Sequence, residues 1–347
     1  MKTLLYRFKQ KLKSKLKKPI NYRKNFEEGY AEFEKTGHTT DEAYIAMLNL
    51  YCSTNGKFNE DFHQKIITTN PPKKVAQNID GVIGNTSAKE FTNINSILTK
   101  DGYINFKERL NKQLISELYQ FALKTETLTA PLYDKKVIFD PQKPISEIYR
   151  FQQHDLVNNN IIQQLIMDPT FINIARNYLG CEPIFDFPAM WWSTSFLKEA
   201  SAEAAQLYHF DLDRIKWLKI FIYLNDVTLD NGPHRFIKGS HLVGAKPNDL
   251  LKRGYARIPD ADLTKHYPPE SFVVVTGEAG SIFAEDTKCW HKGTPLIGGN
   301  RLVLEFEYTS SMFGANYPKF EIENASSEFK EFCNNNKVYA TNFKFKN

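Results

Sequence analysis

Cysteine is scarce in this chain, with four residues in 347, at positions 52, 181, 289 and 333. None of them forms a Cys-x-x-Cys pair, which argues against a zinc knuckle or a disulfide framework and indicates a reducing compartment, the cytoplasm. The chain also lacks an uninterrupted run of about 20 apolar residues, the length that a bilayer-spanning helix needs. The composition therefore predicts a folded protein stabilised by an apolar core, with 26 Phe and 17 Tyr to fill it.

Acidic residues are absent from the first 23 positions, which carry nine of the 45 lysines and arginines. The remaining 36 basic residues are outnumbered by 40 acidic ones, so the body is mildly acidic and is not expected to bind nucleic acid. In a helical arm, a narrow apolar stripe is formed by Leu4, Leu5, Phe8, Leu12 and Leu16. We expect peripheral contact of residues 1–18 with the inner membrane surface; a solvated tail and a helix docked on the protein's own body are the alternatives.

Helical spacing dominates residues 24–67, where Thr39 or Thr40 is the expected N-cap of a second helix. The Pro-Pro sequence at 71–72 marks a linker. Apolar residues repeat every three or four positions between 105 and 125, which predicts one long amphipathic helix there. Another helix is expected at 169–179.

Strand-like segments follow, and they are short and rich in β-branched and aromatic residues. They cover residues 189–196, 217–224, 272–276, 281–284 and 302–308. Short strands at this spacing are typical of a jelly roll. Residues 241–271 contain four prolines and are predicted to be an insertion at the barrel mouth, where loops usually determine substrate choice.

One set of residues is a candidate for binding a metal and an acidic ligand: His209-Phe210-Asp211, then His291 and Arg301. Alternate residues of a strand share a face, so His209 and Asp211 can hold one metal while Phe210 packs on the other side. Two imidazoles and one carboxylate on one face of ferrous iron leave three coordination positions open. A planar guanidinium is suited to bidentate recognition of a carboxylate.

The motifs around these residues resemble the phytanoyl-CoA dioxygenase (PhyH-like) family over about residues 100–310. They read AQLYHFD at 205–211, KIFIYLNDV at 219–227, NGP at 231–233 and GSH at 239–241, then GSIF at 280–283, HKGT at 291–294 and NR at 300–301. The segment PTFINIARNYLG at 169–180 resembles the helix that precedes the barrel in that family.

The resemblance implies a mainly β fold: a double-stranded β-helix (jelly-roll, cupin-like) core with N-terminal helices packed outside. The expected organisation is a basic arm (1–23), a helical extension (24–75), the oxygenase domain (76–320) and a C-terminal helix or tail (321–347). By position, the resemblance makes His209, Asp211 and His291 the catalytic iron ligands and Arg301 the clamp for 2-oxoglutarate. Thr294 is expected beside that clamp, and Trp192 and Thr194 are expected to contact 2-oxoglutarate.

The implied activity is an Fe(II)-dependent dioxygenase that uses O2 and 2-oxoglutarate to hydroxylate a small-molecule or lipid- or glycan-linked substrate, releasing succinate and CO2. Relatives that halogenate have a small residue in place of the carboxylate, so Asp211 favours hydroxylation. The alternatives are a non-catalytic cupin-like module that binds a ligand or metal, and the same iron site used for desaturation or epimerisation. The sequence leaves open whether Lys219 and His234 line the pocket. It favours structural roles for His241 and Cys289.

Overall fold

The structure, a computed structural model, describes residues 20–73, 78–197 and 205–346. Most of the predicted basic arm lies outside the described residues. Three helices form the N-terminal extension: α1 (Tyr22–Thr36), α2 (Asp41–Thr54) and α3 (Lys57–Thr69). Thr40 caps α2 as predicted, because its hydroxyl accepts a hydrogen bond from the Ala43 N–H at 3.3 Å. No helix within the described ranges has both the length and the apolar character of a transmembrane span.

The segment from 103 to 124 differs from its prediction. It follows the short strands β1 (Asn78–Ile79) and β2 (Thr86–Ser87) and helix α4 (Ala88–Asp101), and it consists of strand β3 (Tyr103–Arg109) and helix α5 (Lys112–Lys124). The predicted long helix over 105–125 is therefore wrong for residues 105–110. Asn111 begins α5 by accepting a hydrogen bond from the Leu114 N–H, while β3 pairs with a distant strand. Phe106 and Leu110 match helical spacing, but tertiary pairing decides the conformation.

The middle of the chain alternates strands with short helices. These elements are β4 (Glu126–Thr129), β5 (Lys136–Ile138), β6 (Ile148–Phe151), α6 (Gln153–Val157), α7 (Asn160–Ile166), α8 (Pro169–Leu179) and β7 (Ile184–Thr194). The predicted helix at 169–179 is confirmed as α8. Its N-cap Asp168 accepts hydrogen bonds from the Thr170 and Phe171 N–H groups, and Pro169 occupies the first helical position.

The remaining elements complete the barrel and its appendages. They are β8 (Trp217–Tyr223), β9 (His234–Ile237), α9 (Asn248–Leu251), α10 (Asp260–Leu263), a 3₁₀ turn (Pro269–Ser271), β10 (Phe272–Val275), β11 (Ser281–Glu285), β12 (His291–Gly293), β13 (Asn300–Thr309), β14 (Phe320–Ile322), α11 (Ser327–Asn335) and β15 (Phe343–Phe345). The strands predicted within 217–308 are confirmed. The C-terminal tail is not free, because β15 pairs in parallel with β14 and Phe343 stacks on Phe185.

Two sheets face each other and confirm the predicted mainly β jelly roll. The main sheet has the order β3-β11-β8-β13-β7-β6-β4-β5, and all its neighbouring strands are antiparallel. The small sheet has the order β10-β9-β12 and is also antiparallel. Apolar residues of both sheets meet between them: Phe221, Phe283 and Val303 from the main sheet with Phe236 and Val275 from the small one.

Helices cover the other faces of these sheets. Leu302, Leu304 and Phe306 of β13 point away from the small sheet and join a core with residues of α8 and the neighbouring helices. The N-terminal helices form a separate apolar cluster, in which Phe26 and Tyr51 pack with Phe210 and Trp290. Phe210 and Trp290 precede Asp211 and His291 directly, so the N-terminal extension supports the backbone that carries these two side chains.

Candidate active site

Two extended segments bring the three predicted ligands together. The His209 N–H donates to the His291 carbonyl oxygen at 3.0 Å, and the His291 N–H donates to the His209 carbonyl at 2.8 Å. This bridge adds the His209 segment to the edge of the small sheet beside β12. Asp211 follows on the same face, with its carboxylate oxygens 3.8 Å from Nε2 of His209 and 3.6 Å from Nε2 of His291. The potential ligand atoms all lie within 4.8 Å of one another.

Both imidazoles are held in one orientation by backbone carbonyls. Nδ1 of His209 lies 3.0 Å from the Leu207 oxygen, and Nδ1 of His291 lies 3.0 Å from the Cys289 oxygen. A carbonyl only accepts hydrogen bonds, so each Nδ1 carries the proton and each Nε2 presents its lone pair to the common centre. Hydrogen bonding of the distal nitrogen to a carbonyl is the usual support for a metal-bound histidine.

The protonation states also suit a cation. Burial lowers the pKa of both histidines, and the charges of His291 and Arg257 lower that of His209 further. Burial by itself raises the pKa of a carboxyl, but the Lys219 ammonium and the two imidazoles outweigh it and hold the pKa of Asp211 below its usual range. Two neutral nitrogen donors and one carboxylate are the donor set that ferrous iron takes in open octahedral sites. The side chains therefore fit Fe(II).

Lys219 connects this centre to two glutamates on the inner face of the main sheet. Its Nζ lies 3.2 Å from Asp211 Oδ2, 3.2 Å from Glu305 Oε1 and 2.8 Å from Glu307 Oε1. The pairing of Lys219 with Glu307 across β8 and β13 places both side chains on the inner face, which answers the question that the sequence left open. Burial raises the pKa of Glu307 well above its ordinary value, and the Lys219 ammonium opposes this effect.

Arg301 lies on the same inner face, and no carboxylate in the described part of the chain forms an ion pair with it. It pairs with Ser193 across β13 and β7, and its Nη2 donates to the Ser193 hydroxyl at 3.2 Å. Its Nε and Nη1 are buried without a hydrogen-bond partner. Buried polar groups are normally paired, and an unpaired charge is costly, so this guanidinium is prepared for a ligand. The distal carboxylate of a 2-oxo diacid is a suitable ligand for its two free nitrogens.

His234 and Glu285 form a second polar pair beside the metal face. Nε2 of His234 lies 2.5 Å from Glu285 Oε2, and the His234 ring stacks on that of His291 with centroids 5.6 Å apart. Burial raises the pKa of Glu285 to about 8 and lowers that of His234 to about 3. At neutral pH the pair is therefore uncharged, and the Glu285 carboxyl donates to the imidazole. His234 lies in the pocket, which the sequence had left open.

The predicted contacts of Trp192 and Thr194 with 2-oxoglutarate are wrong. Trp192 pairs with Leu302 and Thr194 with Asn300, so both point to the face opposite that of Arg301. Trp192 packs against Phe139 and Tyr119 in the helix-covered core, and the Thr194 hydroxyl donates to the Ser146 carbonyl. The residue between them, Ser193, contacts the arginine instead. The prediction chose the two neighbours of Ser193, and adjacent residues of a strand point to opposite faces of the sheet.

Three other predicted residues have mainly backbone partners. The hydroxyl of Thr294 donates to the Pro233 carbonyl at 2.7 Å, and its role beside Arg301 stays a prediction. Nε2 of His241 lies 3.1 Å from the Thr99 oxygen, and Cys289 is buried with its sulfur 3.6 Å from Nδ1 of His241. These contacts agree with the structural roles expected for His241 and Cys289.

The family of the chain is established by its sequence. A sequence model of the family described as Phytanoyl-CoA dioxygenase (PhyH) matches residues 98–300, more than half of the chain. The chain belongs to this family. Membership confirms the resemblance and makes the protein an oxygenase of the 2-oxoglutarate-dependent type, for which Fe(II), 2-oxoglutarate and O2 are the expected cofactor and cosubstrates. No curated protein sequence gives a significant match to the chain.

Several solved structures are distantly similar. The non-heme α-ketoglutarate-dependent epimerase SnoN from nogalamycin biosynthesis is 18% identical with a TM-score of 0.48, over 64% of this chain and 83% of that one. HygX from Streptomyces hygroscopicus, with nickel and 2-oxoglutarate bound, is 15% identical with a TM-score of 0.45, over 68% and 92%. EctD from S. alaskensis, with bound Fe, is 19% identical with a TM-score of 0.43, over 69% and 83%. Such distant likenesses do not assign a substrate.

Proposed function

We propose that this protein is an Fe(II)- and 2-oxoglutarate-dependent dioxygenase that hydroxylates a small organic molecule, either free or linked to a lipid or glycan. The observation that carries the proposal is the convergence of His209, Asp211 and His291 between the two sheets, together with Arg301 on the inner face of the main sheet, two of whose nitrogens are buried without a hydrogen-bond partner among the described residues. Family membership agrees with this assignment. A binding module without catalysis has no use for an unpaired, buried guanidinium beside a metal face.

Each side chain has a defined task in this proposal. His209 and His291 would hold the metal through Nε2 and Asp211 through its carboxylate, which also pairs with Lys219. Arg301, steadied by the Ser193 hydroxyl, orients the distal carboxylate of 2-oxoglutarate. When bound, ferrous iron with 2-oxoglutarate and O2 supplies the oxidation of a C–H bond, with succinate and CO2 as products. The apolar walls, among them Phe221 and Phe283, limit the access of water.

Hydroxylation is proposed over halogenation because Asp211 provides the carboxylate ligand. Desaturation and epimerisation use the same residues, so they differ from hydroxylation only in the product. Product analysis by mass spectrometry separates them: hydroxylation adds one oxygen, desaturation removes two hydrogens and epimerisation leaves the mass unchanged.

The experiment that tests the proposal measures succinate released by the full-length protein with Fe(II), 2-oxoglutarate and O2. We expect slow release without substrate and faster release when a screened compound is accepted. Asp211→Ala removes a metal ligand and is expected to reduce release to the background without enzyme. Asp262→Ala, which removes a partly exposed carboxylate of α10 that pairs with Arg253 and Lys265, serves as the matched control and is expected to keep full release. Wild-type release from a folded Asp211→Ala variant contradicts the proposal.

A peripheral membrane site for the enzyme rests on residues 1–18 of the basic arm, which lie outside the described residues. We expect full-length protein to sediment with vesicles that contain an anionic lipid, and to lose this binding when residues 1–18 are deleted. Neutral vesicles provide the control for charge. Equal sedimentation of the two forms removes the membrane from the proposal and leaves a cytoplasmic enzyme with a free substrate.

A further inference from the structure

The predicted insertion returns to the barrel beside the metal face. Tyr208 and Ile258 form an antiparallel bridge, with the Tyr208 N–H 3.0 Å from the Ile258 oxygen and the Ile258 N–H 2.8 Å from the Tyr208 oxygen. His209 and Arg257 are the next opposed pair in this register. Opposed residues of an antiparallel pair share a face, with Cβ atoms about 5 Å apart.

The side on which Arg257 points follows from its neighbours. Tyr208, Phe210 and Ile258 all belong to the apolar cluster formed with the N-terminal helices. Because alternate residues point to opposite sides, His209 and Arg257 both point away from that cluster and toward the metal face. The row across the sheet therefore reads Arg257, His209, His291.

Arg257 lacks a countercharge among residues 20–73, 78–197 and 205–346. Its Nη1 is buried without a hydrogen-bond partner, and no carboxylate of these residues forms an ion pair with it. The other arginine of the same insertion, Arg253, is different: it is paired with Asp262 at 2.6 Å. A half-buried guanidinium without a partner is suited to binding an anion.

We propose that Arg257 binds an anionic group of the substrate, a carboxylate or a phosphate, and thereby orients the substrate over the metal face. This inference rests on the proposed function, in which Arg301 is occupied by 2-oxoglutarate. The two arginines differ in position and exposure: Arg301 is buried on the main sheet, whereas Arg257 is half-buried within the insertion, opposite His209. The substrate class is accordingly an acidic small molecule or a phosphorylated one.

The test uses full-length protein loaded with Ni(II), which does not turn over, and with saturating 2-oxoglutarate. Inorganic phosphate and acetate are titrated separately by calorimetry, and the tighter of the two identifies the anion. We expect Arg257→Gln to weaken binding of that anion about 10-fold or more, since it removes a charge-assisted hydrogen bond. Arg257→Lys keeps the charge and is expected to lose less, and Arg253→Gln is expected to bind as the wild type does.

Two results overturn the inference: no binding of either anion to the wild type, or equal binding to wild type and a folded Arg257→Gln variant. The second result means that the anion occupies the metal or another surface. Failure of the proposed function gives a different pattern, because 2-oxoglutarate then binds equally to wild type and Arg301→Gln before any anion is added. Circular dichroism of each variant shows whether it is folded.

Discussion

Along β13, even-numbered and odd-numbered residues face different environments. Leu302, Leu304 and Phe306 pack against helices, whereas Arg301, Glu305 and Glu307 lie on the inner face, toward the small sheet. The first face stabilises the fold by burying apolar surface, at about 25 cal/mol per Å². The second face buries charged groups, which lowers stability unless partners compensate. The two faces of β13 thus differ in role: one stabilises the fold, and the other carries the residues proposed to bind ligands.

The largest expected effect is on the cavity face. His209→Ala removes one of three metal ligands, so we expect Ni(II) binding to fall below detection by calorimetry. The fold is expected to persist, because His209 contributes little to the apolar clusters. His38→Ala, at an exposed position, is the control and should bind Ni(II) normally. If His209→Ala binds Ni(II) with wild-type affinity, the metal occupies a different site.

Phe306→Ala tests the helix-covered face. It leaves a cavity in a fully buried core, so we expect the free energy of unfolding to fall by about 4 kcal/mol. Because Phe306 points away from the ligands, the affinity of the folded variant for Ni(II) is expected to stay unchanged. Urea unfolding and calorimetry measure the two quantities. A large loss of Ni(II) affinity with little loss of stability reverses the assignment of the two faces.

Lys219→Met tests the compensation of charge inside the cavity. The change keeps much of the side-chain volume but leaves Asp211 and Glu305 without their ammonium partner, so we expect the metal-free protein to lose about 3 kcal/mol of stability. Bound Ni(II) neutralises Asp211, and the loss should then be smaller. Lys57→Met removes an exposed pair with Asp61 and is expected to cost less than about 1 kcal/mol. An equally small loss of stability in Lys219→Met and Lys57→Met contradicts the claim that Lys219 compensates the buried carboxylates.

The effect that is smallest at neutral pH is on the pH dependence of stability and concerns His63 of α3. Its Nε2 lies 2.9 Å from the Leu179 oxygen, and burial lowers the pKa of His63 to about 4. Between the ordinary histidine pKa and about pH 4, the unfolded chain binds a proton at His63 that the folded protein does not bind. The free energy of unfolding therefore decreases as the pH is lowered through this range. His63→Asn is expected to reduce the change of the unfolding free energy with pH by about 1.4 kcal/mol per pH unit in this range. Urea midpoints at several pH values measure it, with His38→Asn as the control; an unchanged slope contradicts the assignment.

The site residues that could be predicted from the sequence are those that lie within recognisable sequence motifs. His209, Asp211, His291 and Arg301 occur at recognisable positions, and the strand periodicity placed Phe210 on the opposite face from its neighbours. It left Lys219 and His234 open and missed Glu305, Glu307 and Glu285, because their roles depend on strand register. The sequence did offer one signal for Glu305 and Glu307: they are two acidic residues within the otherwise apolar run LVLEFEY at 302–308. Register also explains the errors at Trp192 and Thr194.

The central claim is that one cavity holds Fe(II) and 2-oxoglutarate together, the metal on His209, Asp211 and His291 and the cosubstrate on Arg301. Anaerobic titration of the protein with Fe(II) and 2-oxoglutarate tests it most directly, through the weak visible charge-transfer band of the iron chelate. We expect the band to saturate at one equivalent of Fe(II) per chain, and Arg301→Gln to require about 10-fold or more 2-oxoglutarate to reach it. Absence of the band in the folded wild type, or the same 2-oxoglutarate requirement in Arg301→Gln, contradicts the claim.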